Sequence, residues 1–477
     1  MPALARPWLM LLTVVGLGAC RHAAVHAPTP AKQPAKQPTA LRYNVTYERE
    51  PEHALEVEVV LVDGAPRDFL FTRPGGVSTV RAYRDNGEVT ELTVEPDGIE
   101  APKGTRFLRY RYPMDSRPRR RGMDFFTGGS QGDARLIAGR TWLIRPRVAT
   151  GDRRVELSIQ GVDALLPWQP EPSGLYQLRD SDLVDSGFHG FGGRRCEVAL
   201  SDVVLRVGIL GELKHMNDEQ LCDWLRRTAE EVRMVRSPFP HPRVTVLVSP
   251  VQGSRAANVF GMVLWSAPPS IALLVGQDAP PSAFQEDWVA IHEMLHLTHP
   301  TFVPRTRWIS EGLATYYTEV ARARSGRFTP EQAWHELLQG FETGKSQADG
   351  RTFQEMINED APPGIYWVGA FFALRLDVEL RRATGNQRGL EHVLELLATQ
   401  GSTTTLKAYS AAVDQVAGRP LFDALLAQEL RVPAFAGLGA LLEALGVKAT
   451  SGGVTLERAR DSVLREALEG LRVPGAR

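Results

Sequence analysis

The sequence predicts a multidomain α+β protein in which an N-terminal antiparallel β-sandwich is followed by an α/β lobe and then by a helical lobe. Residues 41–200 alternate between apolar and polar side chains with period two, residues 201–281 mix strand-like and helical segments, and almost everything from 282 onward has helical periodicity. The 477 residues provide length for about three domains at roughly 150 residues each.

The composition excludes some classes of protein. The chain has 55 basic and 56 acidic side chains and a net charge of −1, which argues against a nucleic-acid partner because phosphate binding needs a basic face. The three cysteines are too few for a disulfide-rich scaffold. No apolar run after the N-terminus reaches the roughly 20 residues of a membrane-spanning helix. The sequence leaves the oligomeric state open.

The N-terminus has the pattern of a secretory signal peptide. Arg6 supplies a positive charge, and an apolar stretch over residues 9–19 is too short for a stable span. The stretch closes with Leu-Gly-Ala-Cys20, which resembles the bacterial lipobox, in which the cysteine becomes N-terminal after cleavage and carries the lipid. An ordinary cleaved signal peptide with a chance cysteine is the alternative.

The lipobox resemblance defines two N-terminal segments. Residues 1–20 are expected to be a lipoprotein signal peptide with lipidation at Cys20, and residues 21–40 a Pro-rich tether. We expect an exported protein that is lipid-anchored to the bacterial cell envelope and so meets the membrane through its N-terminus. Arg21, where an inner-membrane retention signal would have Asp, favours the outer membrane.

Residues 41–200 are predicted to form the N-terminal β domain. The segments 54–62 and 105–112 alternate clearly, and turn pairs such as Asn86-Gly87 separate the strands. The Gly-rich stretch 187–193 lacks the spacing of a phosphate-binding loop and is expected to be an ordinary loop. Cys196 and Cys222 can pair in an oxidising compartment, or they can remain two buried thiols.

Residues 201–430 are predicted to form the second and third lobes. A helix is expected from Asp218 to Val235, and the remaining elements follow from local periodicity. The predicted strands span 243–248, 258–265 and 270–275, and the predicted helices span roughly 283–299, 307–324, 330–341, 366–383, 387–399, 403–416 and 419–430. Residues 431–477 are expected to be a C-terminal tail.

The predicted helix at 283–299 carries the main chemical signal of the chain. A capping box of Ser282 and Gln285 opens it, and it contains His292-Glu293-Met-Leu-His296. Two histidines four residues apart share one face of a helix, so both imidazoles can bind one Zn²⁺. Glu293 projects beside that face, where it can act as general base towards a water whose pKa the metal lowers to near 7.

The next predicted helix supplies a third ligand. Glu311 is expected to return over the two histidines, and Gly312 beside it permits close helix approach. A catalytic zinc keeps one position free of protein ligands. His299 also lies on the histidine face. We interpret it as a residue behind the site or at the surface, although a role as fourth ligand would close that free position.

These motifs resemble a known family. His-Glu-x-x-His followed by Trp-x-x-Glu-Gly-x-Ala-x-Tyr, here Trp308 to Tyr316, is similar to the gluzincin metallopeptidases, above all to the glycyl aminopeptidase family and next to the alanyl/leucyl aminopeptidase family. The resemblance implies a thermolysin-like catalytic domain over residues 201–430 behind a β domain. It also implies Zn²⁺ as cofactor and a peptide or protein as substrate.

The resemblance further implies residue roles. His292, His296 and Glu311 become the zinc ligands and Glu293 the general base. Tyr366 begins Tyr-Trp-Val-Gly, which matches a Tyr-x-x-Gly motif whose Tyr steadies the tetrahedral oxyanion in these families. A tyrosine that merely packs at the start of a helix is the alternative.

One departure concerns specificity. Family members carry a Gly-x-x-Glu-Asn/His segment before the zinc helix, whose Glu binds the free amino group of the substrate, whereas residues 261–265 here contain no carboxylate. The sequence therefore favours endo- or oligopeptidase action over aminopeptidase action. A non-catalytic, zinc-containing binding or scaffold lipoprotein is the alternative function.

Overall fold

A computed structural model describes residues 39–62, 64–71, 76–115, 129–304, 306–360 and 364–470. The predicted signal peptide, Cys20 and the tether up to residue 38 lie outside the described residues. Among the helices that the structure describes, none combines the length and hydropathy needed to cross a membrane.

The first part of the chain consists almost entirely of strands. They are β1 Thr39–Glu48, β2 Ala54–Leu61, β3 Asp68–Phe71, β4 Thr79–Arg84, β5 Val89–Thr93, β6 Ile99–Glu100, β7 Thr105–Pro113, β8 Gly129–Gln131, β9 Ala134–Ala138, β10 Ile144–Pro146, β11 Arg154–Gln160, β12 Ala164–Leu165, β13 Tyr176–Arg179 and β14 Phe188–Phe191, with the short helix α1 Gly139–Trp142 before β10.

These strands form a large sheet covered by two small ones. The large sheet has the order β13-β11-β1-β2-β7-β4-β5, and the small sheets have the orders β10-β3-β6 and β12-β14-β9-β8. The sheets share one apolar core, and the Tyr43 hydroxyl crosses it to donate to the Ile144 carbonyl at 2.8 Å. The predicted fold class is confirmed. The sheet departs from purely antiparallel order at β1, which pairs with β11 in parallel.

The sequence predicted a loop for the Gly-rich stretch 187–193, and this prediction is wrong. The stretch contains the buried strand β14. Phe188 and Phe191 are fully buried there. His189 lies between them and is held on both ring nitrogens, because Nδ1 accepts from Trp142 Nε1 at 3.0 Å and Nε2 donates to the Ser186 carbonyl at 2.8 Å. The positive φ values belong to the flanking glycines 187, 192 and 193. The glycines therefore form the turns and leave an extended segment between them.

The α/β lobe contains one five-stranded sheet. Its elements are β15 Arg194–Ala199, β16 Val204–Ile209, α2 Asp218–Arg233, β17 Arg243–Val251, β18 Asn258–Leu264 and β19 Ser270–Gly276. The order is β15-β16-β17-β19-β18, with β16, β17 and β19 parallel and both outer strands antiparallel. Because β15 pairs with β16, the chain enters this sheet directly after Gly193, before the boundary at residue 200 that the sequence predicted.

A disulfide joins the sheet to its helix. Cys196 in β15 bonds to Cys222 in α2, with their Cα atoms 6.7 Å apart and a sequence separation of 26. Of the two alternatives that the sequence left open, the structure has the paired one. In the chain-entropy description, closing a loop of this length stabilises the fold by about 3 kcal/mol.

The helical lobe follows and carries most of the predicted helices. Its elements are α3 Pro281–Glu286, α4 Val289–Leu295, a single 3₁₀ turn His296–Thr298, β20 Thr301–Phe302, α5 Arg307–Arg324, α6 Pro330–Ala348, α7 Phe353–Glu359, α8 Gly364–Ala383, α9 Leu390–Ala398, β21 Thr403–Thr404, α10 Leu406–Ala417 and α11 Phe422–Leu430.

The single helix predicted at 283–299 is instead α3, α4 and the 3₁₀ turn. The predicted capping box is absent, because α3 starts with Pro281 in its first turn and has no side-chain cap. The chain leaves helical geometry at Asp287, whose ψ is 133°. The Asp287 carboxylate then accepts from the Ala290 backbone N–H at 3.0 Å and so supports the start of α4.

Tertiary contacts explain this break. The carbonyl groups at the end of α3 do not continue a helix but accept hydrogen bonds from arginines of a distant segment. Arg327 Nη2 donates to the carbonyls of Phe284 and Gln285 at 3.0 and 2.6 Å, and Arg327 Nη1 donates to the Glu231 carboxylate of α2 at 3.0 Å. The local pattern that predicted one helix contains no signal from Arg327.

Residues 431–470 fold onto the helical lobe, whereas the sequence suggested a tail. They form α12 Leu438–Leu445, the hairpin β22 Val447–Thr450 and β23 Gly453–Leu456, and α13 Ser462–Leu468. Leu445 and Leu468 are buried in the main core, and Trp334 Nε1 donates to Glu469 at 2.8 Å. The Leu-rich composition that looked like a tail is the apolar face of two short helices.

Candidate functional site

Three side chains converge where α4 and α5 meet. His292 Nε2 and His296 Nε2 lie 3.2 and 3.3 Å from the same oxygen, Oε2 of Glu311. The ligand-type atoms of these residues all lie within 4.8 Å of one another, and no other group of three His, Cys, Asp or Glu does so among the described residues. Both imidazoles are buried. The three side chains thus form a compact cluster that could hold a metal ion.

The four-residue spacing survives the change of helix type within the motif. His292 lies inside α4 and His296 begins the 3₁₀ turn, yet the two ring centroids are only 4.8 Å apart, at 89° to each other. The sequence signal works because His296, with φ −55° and ψ −28°, still continues the α-helical backbone from His292, so four residues make about one turn.

Two glycines place α5 against α8. A Cβ on Gly369 would lie 1.9 Å from the Trp308 carbonyl oxygen, and a Cβ on Gly312 would lie 2.3 Å from the Gly369 backbone. Any side chain at this crossing would push the helices apart. The crossing therefore sets the positions of Glu311 on α5 and Tyr366 on α8, and the expectation that Gly312 permits close approach is confirmed.

The Glu311 carboxylate is held in its charged form. Burial by itself would raise the pKa of Glu311, but the neighbouring charge of His296 and hydrogen bonds from both imidazoles hold that pKa well below its usual range. Glu311 is thus ionised at neutral pH.

Glu293 lies beside the cluster and against strand β18. Burial raises the pKa of Glu293 to about 7, with a further rise from Glu311, while His296 and a hydrogen bond from the Val263 backbone N–H act in the opposite direction. A Cβ on Gly261 would lie 2.6 Å from Glu293 Cγ and 3.1 Å from Oε1. The absence of a side chain at 261 is therefore what lets the strand approach this carboxyl group.

Tyr366 lies in the first turn of α8 and faces the site. Its ring centroid is 6.2 Å from that of His292. Burial and the charge of Glu311 raise the pKa of Tyr366 to about 12, although Arg307, which donates a hydrogen bond to the phenol, opposes that rise. The hydroxyl is therefore a protonated donor at neutral pH.

Strand β18 borders the site as an outer strand of its sheet. Among the strands that the structure describes, it is the last in the order of its sheet and pairs with β19 alone. Its sequence, Asn-Val-Phe-Gly-Met-Val-Leu, contains no carboxylate. Val259 and Phe260 on β18 are exposed, as is Trp288, whose ring packs 5.6 Å from that of His292. The rim of the site is therefore strand backbone with apolar side chains.

His299 is 3% exposed, which excludes the surface role that the sequence left open, and it stands outside the three-residue cluster. Its Nδ1 donates to the Pro300 carbonyl at 3.0 Å, and its Nε2 lies 3.5 Å from Ser310 Oγ. Burial, followed by the charge of His296, lowers the pKa of His299 to about 4, so the ring is neutral.

Sequence reasoning missed Ser310 and Arg307 as residues of the site. Ser310 Oγ lies 3.3 Å from His296 Nδ1, and Arg307 contacts the Tyr366 hydroxyl. Their positions relative to Glu311 were a usable signal. Ser310 directly precedes Glu311 in the sequence, and Arg307 lies one helical turn before it.

No protein-family model matches this chain, and no curated protein sequence matches it. Among solved structures, an aminopeptidase N family protein from Idiomarina loihiensis is similar with a TM-score of 0.66 at 15% identity, covering 85% of this chain and 78% of that one.

Two further solved structures are more distant. An M1 zinc metallopeptidase from Deinococcus radiodurans has a TM-score of 0.44 at 16% identity and covers 82% of this chain and 91% of its own. Leukotriene A4 hydrolase from Saccharomyces cerevisiae has a TM-score of 0.48 at 10% identity, and the match covers 83% of this chain and 68% of the hydrolase. The similarity to the first structure shows that this chain has the fold of an aminopeptidase N family protein.

Proposed function

We propose that this protein is a zinc-dependent peptidase that hydrolyses peptide bonds. The observation that carries the proposal is the convergence of His292, His296 and Glu311, with Glu293 beside them. The fold shared with an aminopeptidase N family protein supports it. The resemblance of the motifs to gluzincin peptidases points to the same chemistry.

The donor set fits Zn²⁺. Two imidazole nitrogens and one carboxylate oxygen are a ligand set that catalytic zinc sites use, and such sites have three protein ligands where structural sites have four. His299 lies outside the cluster, so the described residues supply three ligands. When bound, Zn²⁺ would supply a Lewis acid that polarises the scissile carbonyl and makes water acidic enough to react near neutral pH.

The chain's own residues would move the protons. Glu293 takes a proton from the attacking water and then gives it to the leaving amine, which makes it general base and then general acid. The Val263 N–H holds the Glu293 carboxylate in place. The Tyr366 hydroxyl, protonated at neutral pH, donates to the oxygen that becomes negative as the carbonyl is attacked.

We propose that the substrate is an extended peptide laid along β18, because the outer strand of a sheet offers backbone hydrogen bonds to an extended chain. No carboxylate on β18 stands ready to bind a free amino terminus. We therefore favour endo- or oligopeptidase action over aminopeptidase action.

An N-acetylated peptide compared with its free-amine twin tests this preference. We expect the two peptides to be cleaved with similar kcat/KM, because nothing on β18 pairs with the ammonium group. Strict dependence on the free amine would overturn the preference while leaving the peptidase proposal intact.

Gly261→Ala is predicted to impair catalysis without removing the metal. The new Cβ would collide with the Glu293 side chain, and displacement of a reacting group by about 1 Å costs up to roughly 10²-fold in rate. We expect kcat to fall by about 10- to 10²-fold at unchanged zinc content. The control is Gly439→Ala, where a Cβ meets open space. Parent-like kcat in Gly261→Ala would contradict the placement of Glu293.

We also propose that the protein is exported and anchored by a lipid on Cys20, preferentially in the outer membrane. The lipobox-like sequence supports this, and so does the pairing of Cys196 with Cys222, because disulfides persist mainly in oxidising compartments. Mass spectrometry of the mature protein should find Cys20 as the first residue with a lipid attached, and Cys20→Ser should be released from membranes. An unmodified peptide running through residues 17–22 would contradict the proposal.

A further inference from the structure

We infer that Ser310 and His299 are positioning residues that fix the tautomer of His296 and thereby direct its Nε2 lone pair at the metal position. The inference rests on the proposed function, because it concerns the same metal site. Neither residue belongs to the three-residue cluster.

The contacts form one continuous chain behind His296. Its Nδ1 lies 3.3 Å from Ser310 Oγ, and Ser310 Oγ lies 3.5 Å from His299 Nε2. At the far end, His299 Nδ1 lies 3.0 Å from the Pro300 carbonyl oxygen. His299 is 3% exposed and packs against Phe302, with 5.8 Å between ring centroids. The far end of the chain is therefore fixed in position.

The direction of every proton follows from the far end. A carbonyl oxygen can only accept, and the contact of Nδ1 with the Pro300 carbonyl at 3.0 Å is shorter than the contact of Nε2 with Ser310 Oγ at 3.5 Å, so we place the hydrogen of a neutral His299 ring on Nδ1 and its lone pair on Nε2. The Ser310 hydroxyl can donate to that lone pair, which leaves its oxygen as the acceptor for His296 Nδ1–H. With its hydrogen on Nδ1, a neutral His296 presents an unprotonated Nε2.

That Nε2 is the atom that faces the cluster, at 3.3 Å from Glu311 Oε2. A metal needs an unprotonated ring nitrogen, and hydrogen bonds to the opposite nitrogen set which nitrogen that is. The Pro300 carbonyl thus determines, through two side chains, which nitrogen of His296 is available to bind Zn²⁺.

The other imidazole has no such support. His292 Nδ1 is buried and has no hydrogen-bond partner among the described residues, and its ring is packed against Trp288. Of the two imidazoles, only that of His296 has its tautomer set by a side chain, and that side chain is Ser310, which His299 orients in turn. We expect disruption of this chain to weaken zinc binding by about 10- to 100-fold.

Zinc affinity, measured by competition with a chromophoric chelator, tests the inference. Ser310→Ala and His299→Phe should each bind Zn²⁺ about 10- to 100-fold more weakly than the parent. His299→Gln should recover most of the affinity, because an amide can accept from Ser310 and donate to Pro300. The matched control is His335→Phe, a histidine on α6 that bonds to Gln339.

Two further readouts separate positioning from general stability. The double variant Ser310→Ala/His299→Phe should lose little more affinity than either single variant, because both break the same chain. Nitrogen-15 spectra of the His296 imidazole in the zinc-loaded parent should show hydrogen on Nδ1. Circular dichroism and Tm identify any variant that fails to fold, and Ser310→Ala keeps the test valid if His299→Phe is such a variant.

The outcomes that overturn the inference differ from those that overturn the proposed function. Parent-like zinc affinity in folded Ser310→Ala, or fully additive losses in the double variant, would overturn the positioning role while the parent still binds zinc and cleaves peptide. A folded parent that binds no Zn²⁺ would overturn the proposed function and the positioning role with it.

Discussion

Glu293→Gln is expected to abolish peptide hydrolysis while leaving the metal in place. The amide has the size of the carboxyl group but cannot take a proton from water, and general acid–base catalysis contributes typically about 10²- to 10⁴-fold. Zinc content should not change, because Glu293 stands outside the His292, His296 and Glu311 cluster. Steady-state kinetics and metal analysis on one preparation check both expectations.

The matched control for this variant is Glu286→Gln. Glu286 is an exposed carboxylate at the end of α3, so the same change of charge there should leave kcat/KM at the parent value. Hydrolysis by Glu293→Gln at the parent rate would exclude Glu293 as the general base. Loss of zinc from that variant would instead assign the residue to the metal site.

Tyr366→Phe is expected to lower kcat by about 10²- to 10³-fold, the usual effect of removing one donor to a developing oxyanion. KM should change little, because the hydrogen bond strengthens only as negative charge appears on the carbonyl oxygen. The Tyr366 pKa of about 12 keeps the phenol protonated across the neutral range. The loss of kcat should therefore be constant over that range.

Tyr83→Phe serves as the control for the tyrosine prediction. Tyr83 lies on β4 of the first part of the chain, where it stacks on Phe107, and loss of its hydroxyl should not affect kcat. An increase in KM at constant kcat in Tyr366→Phe would show that the phenol binds substrate and does not stabilise the oxyanion. Parent-like values of both constants would leave Tyr366 as a packing residue.

The sequence predicted best those elements that depend on local periodicity. The helix expected at 307–324 is α5 with the same bounds, because its apolar face and its motif lie within one uninterrupted stretch. The predicted helix at 283–299 failed for the opposite reason. Its break depends on Arg327, which binds the end of α3 from beyond α5 and contributes nothing to the local pattern.

Composition was a weaker guide than periodicity. The glycines around β14 suggested a loop, but they occupy the turns on either side of a strand whose Phe188 and Phe191 are fully buried. The Leu-rich segment after residue 431 suggested a tail, but its apolar residues complete the core of the helical lobe. In both regions the number of glycines or leucines misled, while their positions in the chain were informative.

Within the site, sequence spacing anticipated the residues that share one helix turn or one motif. It predicted that His292, His296 and Glu311 lie together, and that Gly312 lets two helices approach closely. It could not find the backbone N–H of Val263 or the chain from His296 to Pro300, because these contacts join segments whose approach depends on the tertiary fold.

Metal content and peptide cleavage, measured on the same purified protein before and after chelation, test the central claim most directly. The proposed function predicts one Zn²⁺ per chain, cleavage of a peptide library by the loaded protein, loss of cleavage on chelation and its return when Zn²⁺ is added. A loaded, folded protein that cleaves no peptide would contradict that claim and favour a non-catalytic binding or scaffold protein. A folded protein that takes up no Zn²⁺ would contradict the assignment of the site itself.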